Sequence, residues 1–418
     1  MKGLGLMSRT KEKRIFTVVL IALSACVIYG VSSGLRANYG VMLDAISTKS
    51  GVDYASISFV MAVSQLMVGI VQPLFGVVAL KKGNSFVLCL GAVMIAVGLL
   101  AIPYCHSTLS LLLFLGIILS GGTGAMAFGV VMGAVTPALG EKKAAMLSGF
   151  VSASSGLGGT VLAPVMQGLI ERAGLRMMLI VLCIPVILLI PISLWLSKAE
   201  KGAKEVETVS EQQSPSLRSL AKDAAADKSY LCVAGAFFTC GFHMVIIETH
   251  LFSQYVSYGF TEQSAALAFS VYGVAAMLGC IINGVLDSRF PNKWILGSTY
   301  AVRIPIVLGL LLLQKTPLLL YGSAALLGLT GNATVPPTSG LIGKLWGTER
   351  LAALFGIAFL FHQIGGFFSG WLGGLCVSAT GGYTLIWCVS MALSALAALA
   401  SFQIKEQVKG IGNANGHE

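Results

Sequence analysis

Charge is what this sequence has little of. Only 11% of its 418 residues are Asp, Glu, Lys or Arg, whereas 56% are hydrophobic, and the mean hydropathy is +0.86. A water-soluble globule of this size needs more charge to solvate its surface, so the composition excludes one. The nine cysteines lie in or beside apolar runs, with no Cys-x-x-Cys pair and no Cys/His spacing suited to zinc. They read as small packing residues, not as a disulfide framework or a metal site. No Gly-x-x-x-x-Gly-Lys-Ser/Thr loop is present to cradle a nucleotide phosphate, and no His-Glu-x-x-His pair to hold zinc. An enzyme, a catalytic centre, a metal and a cofactor are therefore not expected.

Long apolar runs are what the sequence does have. Residues 85–104, 109–135 and 175–197 carry no Asp, Glu, Lys or Arg apart from Arg176. Each is long enough to cross a hydrocarbon layer of about 30 Å as a helix. Twelve such spans are read, at 15–43, 55–79, 85–104, 109–135, 144–168, 175–197, 229–256, 263–286, 293–313, 317–340, 351–377 and 383–404. The first is too long for a signal peptide and lacks a small-residue cleavage site.

The net charge of +10 would suit a nucleic-acid partner, but its placement excludes one. With the N-terminus in the cytoplasm, 21 of the 27 Lys and Arg fall on the cytoplasmic side of these spans. Only Lys49, Arg172, Arg176 and Lys315 fall outside, and Arg36 and Arg303 lie within spans. This positive-inside bias orients a multi-pass protein of the bilayer, with both termini cytoplasmic. The expected organisation is a tail (1–14), six helices (15–197), a polar linker (198–228), six more helices (229–404) and a second tail (405–418). The linker contains Pro215 and one expected surface helix at Ser216–Ala226.

The chain is also written twice, at an offset of 207 residues. Nine glycines, among them Gly34, Gly158 and Gly174, have a glycine 207 positions later, here Gly241, Gly365 and Gly381. Chance predicts about 3. A parallel duplication of this length in a membrane chain implies two similar bundles with a site between them. Where the two copies differ, chemistry is possible: Arg36 faces His243, Ser155 faces His362 and Leu80 faces Asp287.

Charged and titratable residues inside a bilayer are functional candidates by default. Arg36 sits in the outer half of span one. It reads either as a two-pronged carboxylate anchor or as a salt-bridged arginine near the interface. His243 can relay a proton or donate to an anion, or be a neutral core histidine. His250 follows on the same helical face. Glu248, the acid inside span seven, can carry a proton through a cycle or be paired near the membrane surface. His362 and Gln363 in span eleven are candidate substrate contacts or an interhelical hydrogen bond. Arg303 in span nine is a candidate with a structural alternative. Tyr29, Tyr39 and Gln65 complete the candidate substrate-binding set.

Two loops carry a further signal. One reads Gly76 to Lys81-Lys82-Gly83-Asn84, the other Asn283-Gly284 to Asp287-Ser288-Arg289. Both resemble the Gly-x-x-x-Asp-Arg-x-Gly-Arg loop of the major facilitator superfamily, the first without its acid. There the acid pairs with bases and helix ends to hold one conformation shut. The resemblance makes Lys81, Gly83, Asp287 and Arg289 candidate gating residues. The stretch Ser33-Gly34-Leu35-Arg36-Ala37-Asn38-Tyr39-Gly40 resembles span one of the superfamily's monocarboxylate-transporter-like branch. Gln72-Pro73, Thr334 to Gly340 and His362-Gln363 are similar to bacterial members of that branch.

This resemblance implies an all-α membrane protein of the major facilitator fold, with 12 transmembrane helices in two pseudo-symmetric six-helix bundles. It implies a monomer in a bacterial inner membrane, moving a small organic anion, a carboxylate, by alternating access with proton coupling. By the same resemblance Arg36 binds the carboxylate. The sequence departs from the animal carriers in two places. Gln263–Leu286 has no acid–arginine pair, and Glu248 stands where those relatives have a small apolar residue. Two alternatives stay open: an efflux antiporter for drugs or metabolites, with Arg36 structural, and a transporter-like receptor that binds without moving its ligand.

Overall fold

The computed structural model describes residues 2–139, 141–204, 222, 224–287, 289–346 and 348–406. Most of the expected linker, including much of its surface helix, and most of the C-terminal tail lie outside the described residues. Among the described residues the regular structure is helical throughout. Eleven stretches are long and apolar enough to cross a membrane. Several match the apolar runs to within a residue or two: Asn84–Tyr104, Thr108–Val135, Lys228–Ser257, Glu262–Asp287 and Asn292–Leu312.

One stretch, Phe150–Leu196, is 47 residues long. As a single helix it would reach about 70 Å, more than twice the hydrocarbon thickness. It bends back at Gly174, whose φ of 76° and ψ of 167° are non-helical. The left-handed φ suits glycine because no Cβ opposes it. The stretch is therefore spans five and six, and the crossings among the described residues number twelve. Gly381, the partner of Gly174 at the 207 offset, has φ 70° at the turn between spans eleven and twelve.

The surface is apolar, as lipid requires. Leu318 is 83% and Leu312 77% exposed, while Gln65, His243 and Gln363 are buried. This reverses the soluble pattern and leaves backbone polar groups satisfied inside helices.

The chain forms two compact units. One holds spans one to six together with Glu248–Gly273; the other holds span seven up to Ile247 and the chain from Val274 onward. In the first unit, span one packs along span five. A Cβ on Gly34 would lie 2.5 Å from the Gly158 backbone. In the second unit, span seven packs along span eleven, and a Cβ on Gly241 or Gly365 would collide with the backbone of His362 or Phe238. The repeated glycines thus make the same close backbone approach in each half.

The two halves also break their helices at matching places. Span one ends at Ala37 and resumes at Tyr39. Span seven loosens into a π turn at Ile247–Leu251. Span four passes through a π segment, Leu112–Leu119, and an interruption before Phe128. Span ten tightens into a 3₁₀ turn at Asn332–Thr334, followed by Pro336 and Pro337. Such irregular turns free backbone groups and re-aim side chains, and they are common at functional sites.

Candidate functional site

In the first unit, the break in span one follows directly after Arg36. The Asn38 side chain donates to the carbonyls of Gly34 at 2.8 Å and Gly159 at 3.2 Å. This satisfies acceptors near the interruption and fixes the turn. Arg36 then reaches across to span two and to the π turn of span seven. Its Nη1 donates to Gln65 Oε1 at 2.8 Å and to Glu248 Oε2 at 3.3 Å. Gln65 Nε2 donates to the same Glu248 oxygen at 3.3 Å. The three side chains form a closed triangle, from residues 29 and 212 positions away from Arg36 in the chain.

Two features of this triangle matter. First, the ion pair is held through one atom on each side. Nε and Nη2 of Arg36 and Oε1 of Glu248 make no hydrogen bond among the described residues. Second, the Arg36 side chain is 20% exposed and Glu248 only 3%. The guanidinium therefore keeps an open edge, while the carboxylate lies deeper. Span seven approaches span one closely enough for this because residue 40 is glycine. A Cβ there would sit 2.7 Å from the Glu248 carbonyl oxygen.

The other first-unit candidates lie around the triangle. The phenols of Tyr29, Tyr39 and Tyr272 are close enough to act on the Arg36 charge. Tyr39 is buried, its hydroxyl 3.3 Å from Ser120 Oγ. Tyr29 meets Phe128 edge-on at 5.8 Å. His250 Nδ1 is 2.9 Å from the Tyr54 hydroxyl.

Two groups escaped the sequence reading. Asp44 accepts from Ser253 Oγ at 2.6 Å, and Gln167 donates to Glu262 at 2.6 Å. Asp44, Gln167 and Glu262, with Lys49 and Phe252, line a cavity of about 550 Å³. Burial raises the Asp44 carboxyl above its ordinary range, the Ser253 bond opposes this, and the Glu262 charge adds to it. Asp44 lies just past the expected end of span one, where a loop acid carries no distinctive signal.

In the second unit, His243 is fully buried. Its Nδ1 is 2.9 Å from Ser390 Oγ, Trp387 meets its ring edge-on at 5.7 Å, and its Nε2 has no partner among the described residues. His362 Nδ1 lies 3.0 Å from Gln363 Oε1, with Phe359 stacked on its ring. Arg303 takes a different position. Its Nη2 donates to the carbonyls of Thr330 at 2.6 Å and Gly331 at 3.0 Å, the acceptors beside the 3₁₀ turn of span ten. Tyr300 lies under its guanidinium. Thr330 is the repeat partner of Thr123, whose carbonyl accepts from Ser32. The two halves thus cap the same break with different side chains.

The gating candidates divide similarly. Gly83, with φ 90°, ends the span-two helix after the exposed Lys81 and Lys82. Asp287 pairs with Lys344 Nζ at 3.3 Å and accepts from Asn292, which also donates to the Pro337 carbonyl at 2.9 Å. Arg289 is exposed beside it. Lys344 comes from the end of span ten, a partner that the loop motif alone does not name.

Comparison with known proteins agrees with this architecture. The family model for the Major Facilitator Superfamily matches residues 25–321 and again 230–416. An MFS-type transporter of Bacillus subtilis, YcxA, is 29% identical over 180 residues, which is 41% of this chain and 44% of that protein. The match thus spans less than half of that relative's length. Human monocarboxylate transporter 12 is 26% identical over 79% of this chain and 69% of its own. The Xenopus laevis protein of the same name is 26% identical over 81% and 78%. A solved D-xylose-proton symporter superposes with a TM-score of 0.71 at 15% identity, covering 94% of this chain and 99% of its own. Twelve crossings, a doubled sequence and this match over most of its length give the chain its family: it belongs to the major facilitator superfamily of membrane transporters, and is not an enzyme.

Proposed function

We propose that the protein is a secondary active transporter of a small organic anion, a carboxylate, driven by protons across a bacterial inner membrane. One observation carries this reading. Arg36 is oriented by Gln65 and Glu248 through a single nitrogen, and its other donors stay open on a partly exposed side chain. A guanidinium in that state can take a carboxylate through two parallel hydrogen bonds.

Charge balance supplies the coupling. Arg36 and Glu248 together carry no net charge. Adding a carboxylate leaves the site with one uncompensated negative charge, which costs several kcal/mol in a medium of low dielectric (about that much per buried ion). A proton on Glu248 restores neutrality while Gln65 keeps Arg36 in place. The other titratable groups that act on Arg36 are Tyr29 and Tyr39 on span one and Tyr272 on span eight, while His250 pairs with Tyr54. Among the titratable groups, Glu248 hydrogen-bonds Arg36 directly, which favours it as the proton carrier.

The test is uptake of labelled monocarboxylates into proteoliposomes with an imposed pH gradient. Wild-type protein is expected to accumulate the substrate on the alkaline side. Arg36→Ala is expected to lose this by about tenfold or more. Equal uptake by Arg36→Ala would remove Arg36 from the site.

A further inference from the structure

The second unit holds a positive charge with no negative one beside it. Arg303 is fully buried, and among the described residues its hydrogen bonds all leave from Nη2. They run to the carbonyls of Thr330 and Gly331 and, at 3.7 Å, to Cys240 Sγ. The same sulfur lies 3.5 Å from the Gly331 carbonyl, placed to donate to it as a neutral thiol. Nε and Nη1 of Arg303 have no partner among the described residues. A guanidinium left uncompensated is among the costliest groups that a protein interior or a bilayer can hold.

Further unused donors stand next to these. Cys240 and His243 are three residues apart in the span-seven helix and share a face of it. Tyr300 and Arg303 do the same in span nine. The contact between Cys240 and Arg303 brings the two faces together, and the Arg303 charge acts on His243. His243 Nδ1 meets Ser390 Oγ at 2.9 Å; when it accepts from that hydroxyl, the ring proton sits on Nε2. Neither Nε2 nor the Tyr300 hydroxyl has a partner among the described residues. Donors gathered around a cation, with no acid among them, call for an acceptor that is itself negative.

We infer that this cluster binds a small inorganic anion of the halide type, the counter-ion of Arg303 within the second unit. Burial sets the class of ligand. Arg303, His243 and Tyr300 expose 0% of their surface, so whatever they bind is enclosed with them. That favours a single atom over an acid with a carbon skeleton. A monoatomic anion also accepts from several directions at once. A water accepts from two of these donors but brings no charge. The anion is a resident of the fold rather than cargo, joining span seven to span nine.

The test starts from wild-type protein purified throughout in methanesulfonate, an anion of several heavy atoms. Chloride or bromide is then titrated in at constant ionic strength, and melting is followed by tryptophan fluorescence. Ion chromatography of the denatured protein reads any halide carried through purification. The expected result is a saturable rise in melting temperature with halide and none with methanesulfonate, or stoichiometric halide already retained. Arg303→Met should abolish the response. Arg303→Lys keeps the charge but not the planar set of donors, and should raise the half-saturating concentration by about tenfold or more. Arg36→Ala should leave the response unchanged, which separates this anion from any taken in the first unit.

If wild type neither gains stability from halide nor retains it, the inference falls, whatever the variants do. If Arg36→Ala loses the response and Arg303→Lys keeps it, the halide sits in the first unit and the inference falls. If wild type ignores halide but shows a thiolate ultraviolet absorbance that Cys240→Ser removes, the sulfur balances Arg303 and the inference falls too. None of these outcomes bears on Arg36 as a carboxylate anchor, which uptake tests separately.

Discussion

At the scale of single residues, the two arginines that lie within spans do opposite work. Arg36 holds one acid and one amide and keeps most of its donors open; Arg303 spends its Nη2 on the two carbonyls beside a helix break. Removing Arg303 should therefore cost stability before it costs substrate recognition. Arg303→Met is expected to lower thermal stability by about 1–3 kcal/mol for each carbonyl left unpaired. KM for a transported carboxylate should stay near the wild-type value. A large rise in KM without loss of stability would make Arg303 a ligand contact instead. Gly40 gives the converse case. Gly40→Ala adds one Cβ, only 2.7 Å from the Glu248 carbonyl oxygen, and pushes the span-seven turn away from Arg36. Overpacking of this kind costs about 1–3 kcal/mol, and the displaced Glu248 should raise KM several-fold in the same uptake assay. The sequence singled out Arg36, Glu248 and Gln65 by their polarity inside apolar runs. It did not join them, because Arg36 and Glu248 are 212 residues apart and one sequence carries no record of who meets whom. Ser390 beside His243 escaped for a related reason: a lone serine in a span is too common to stand out.

At the scale of elements, apolar run length did most of the work. A span must match the bilayer, so 85–104 and 263–286 as read from composition became Asn84–Tyr104 and Glu262–Asp287. The irregular turns were not legible in the same way. The π turn at Ile247–Leu251 has no Pro or Gly to announce it. Span ten did carry a sign, the Pro336-Pro337 pair, and its 3₁₀ turn lies just before it. Helix ends outside the bilayer follow ordinary rules. Asp53 caps the start of span two by accepting from the Ser56 backbone N–H at 2.9 Å and from its hydroxyl at 2.6 Å. Those bonds, the hydroxyl first, hold its carboxyl below the ordinary range. Asp53→Ala is expected to cost about 1 kcal/mol, read as a lower melting temperature in detergent. Because the folded-state value is depressed, the cap contributes fully above the ordinary carboxylate range and is lost as pH falls through the lowered one. Melts of wild type and variant should converge at the acid end. A difference that grew on acidification would contradict the cap.

At the scale of the whole molecule, the duplication explains both the likeness and the difference of the halves. Gly34 with Gly158, and Gly241 with Gly365, let helices meet backbone to backbone in each copy. The charges follow no such symmetry: an Arg–Glu pair marks the first unit, whereas the buried arginine of the second, Arg303, meets backbone carbonyls. Orientation in the membrane is open to direct test. In a background without native reactive thiols, Lys49→Cys is expected to react with an impermeant thiol reagent added outside intact cells. Lys81→Cys should react only after the cells are opened. Labelling of both from one side would overturn the positive-inside assignment. The turn at Gly174 bears on how such a chain is made. Spans five and six leave the ribosome as 47 residues of nearly unbroken apolar text. The only charges at their middle are Glu171, Arg172 and Arg176. Neither span has a polar loop long enough to dwell in water alone, so the two enter the bilayer together, as one hairpin. Spans eleven and twelve share the glycine, at Gly381, without any charge at the turn. The second hairpin therefore reverses on an uncharged turn, Gly381-Gly382 with Thr380 donating to the Gly382 carbonyl at 3.2 Å, so during biogenesis its direction rests on backbone geometry and not on flanking charge.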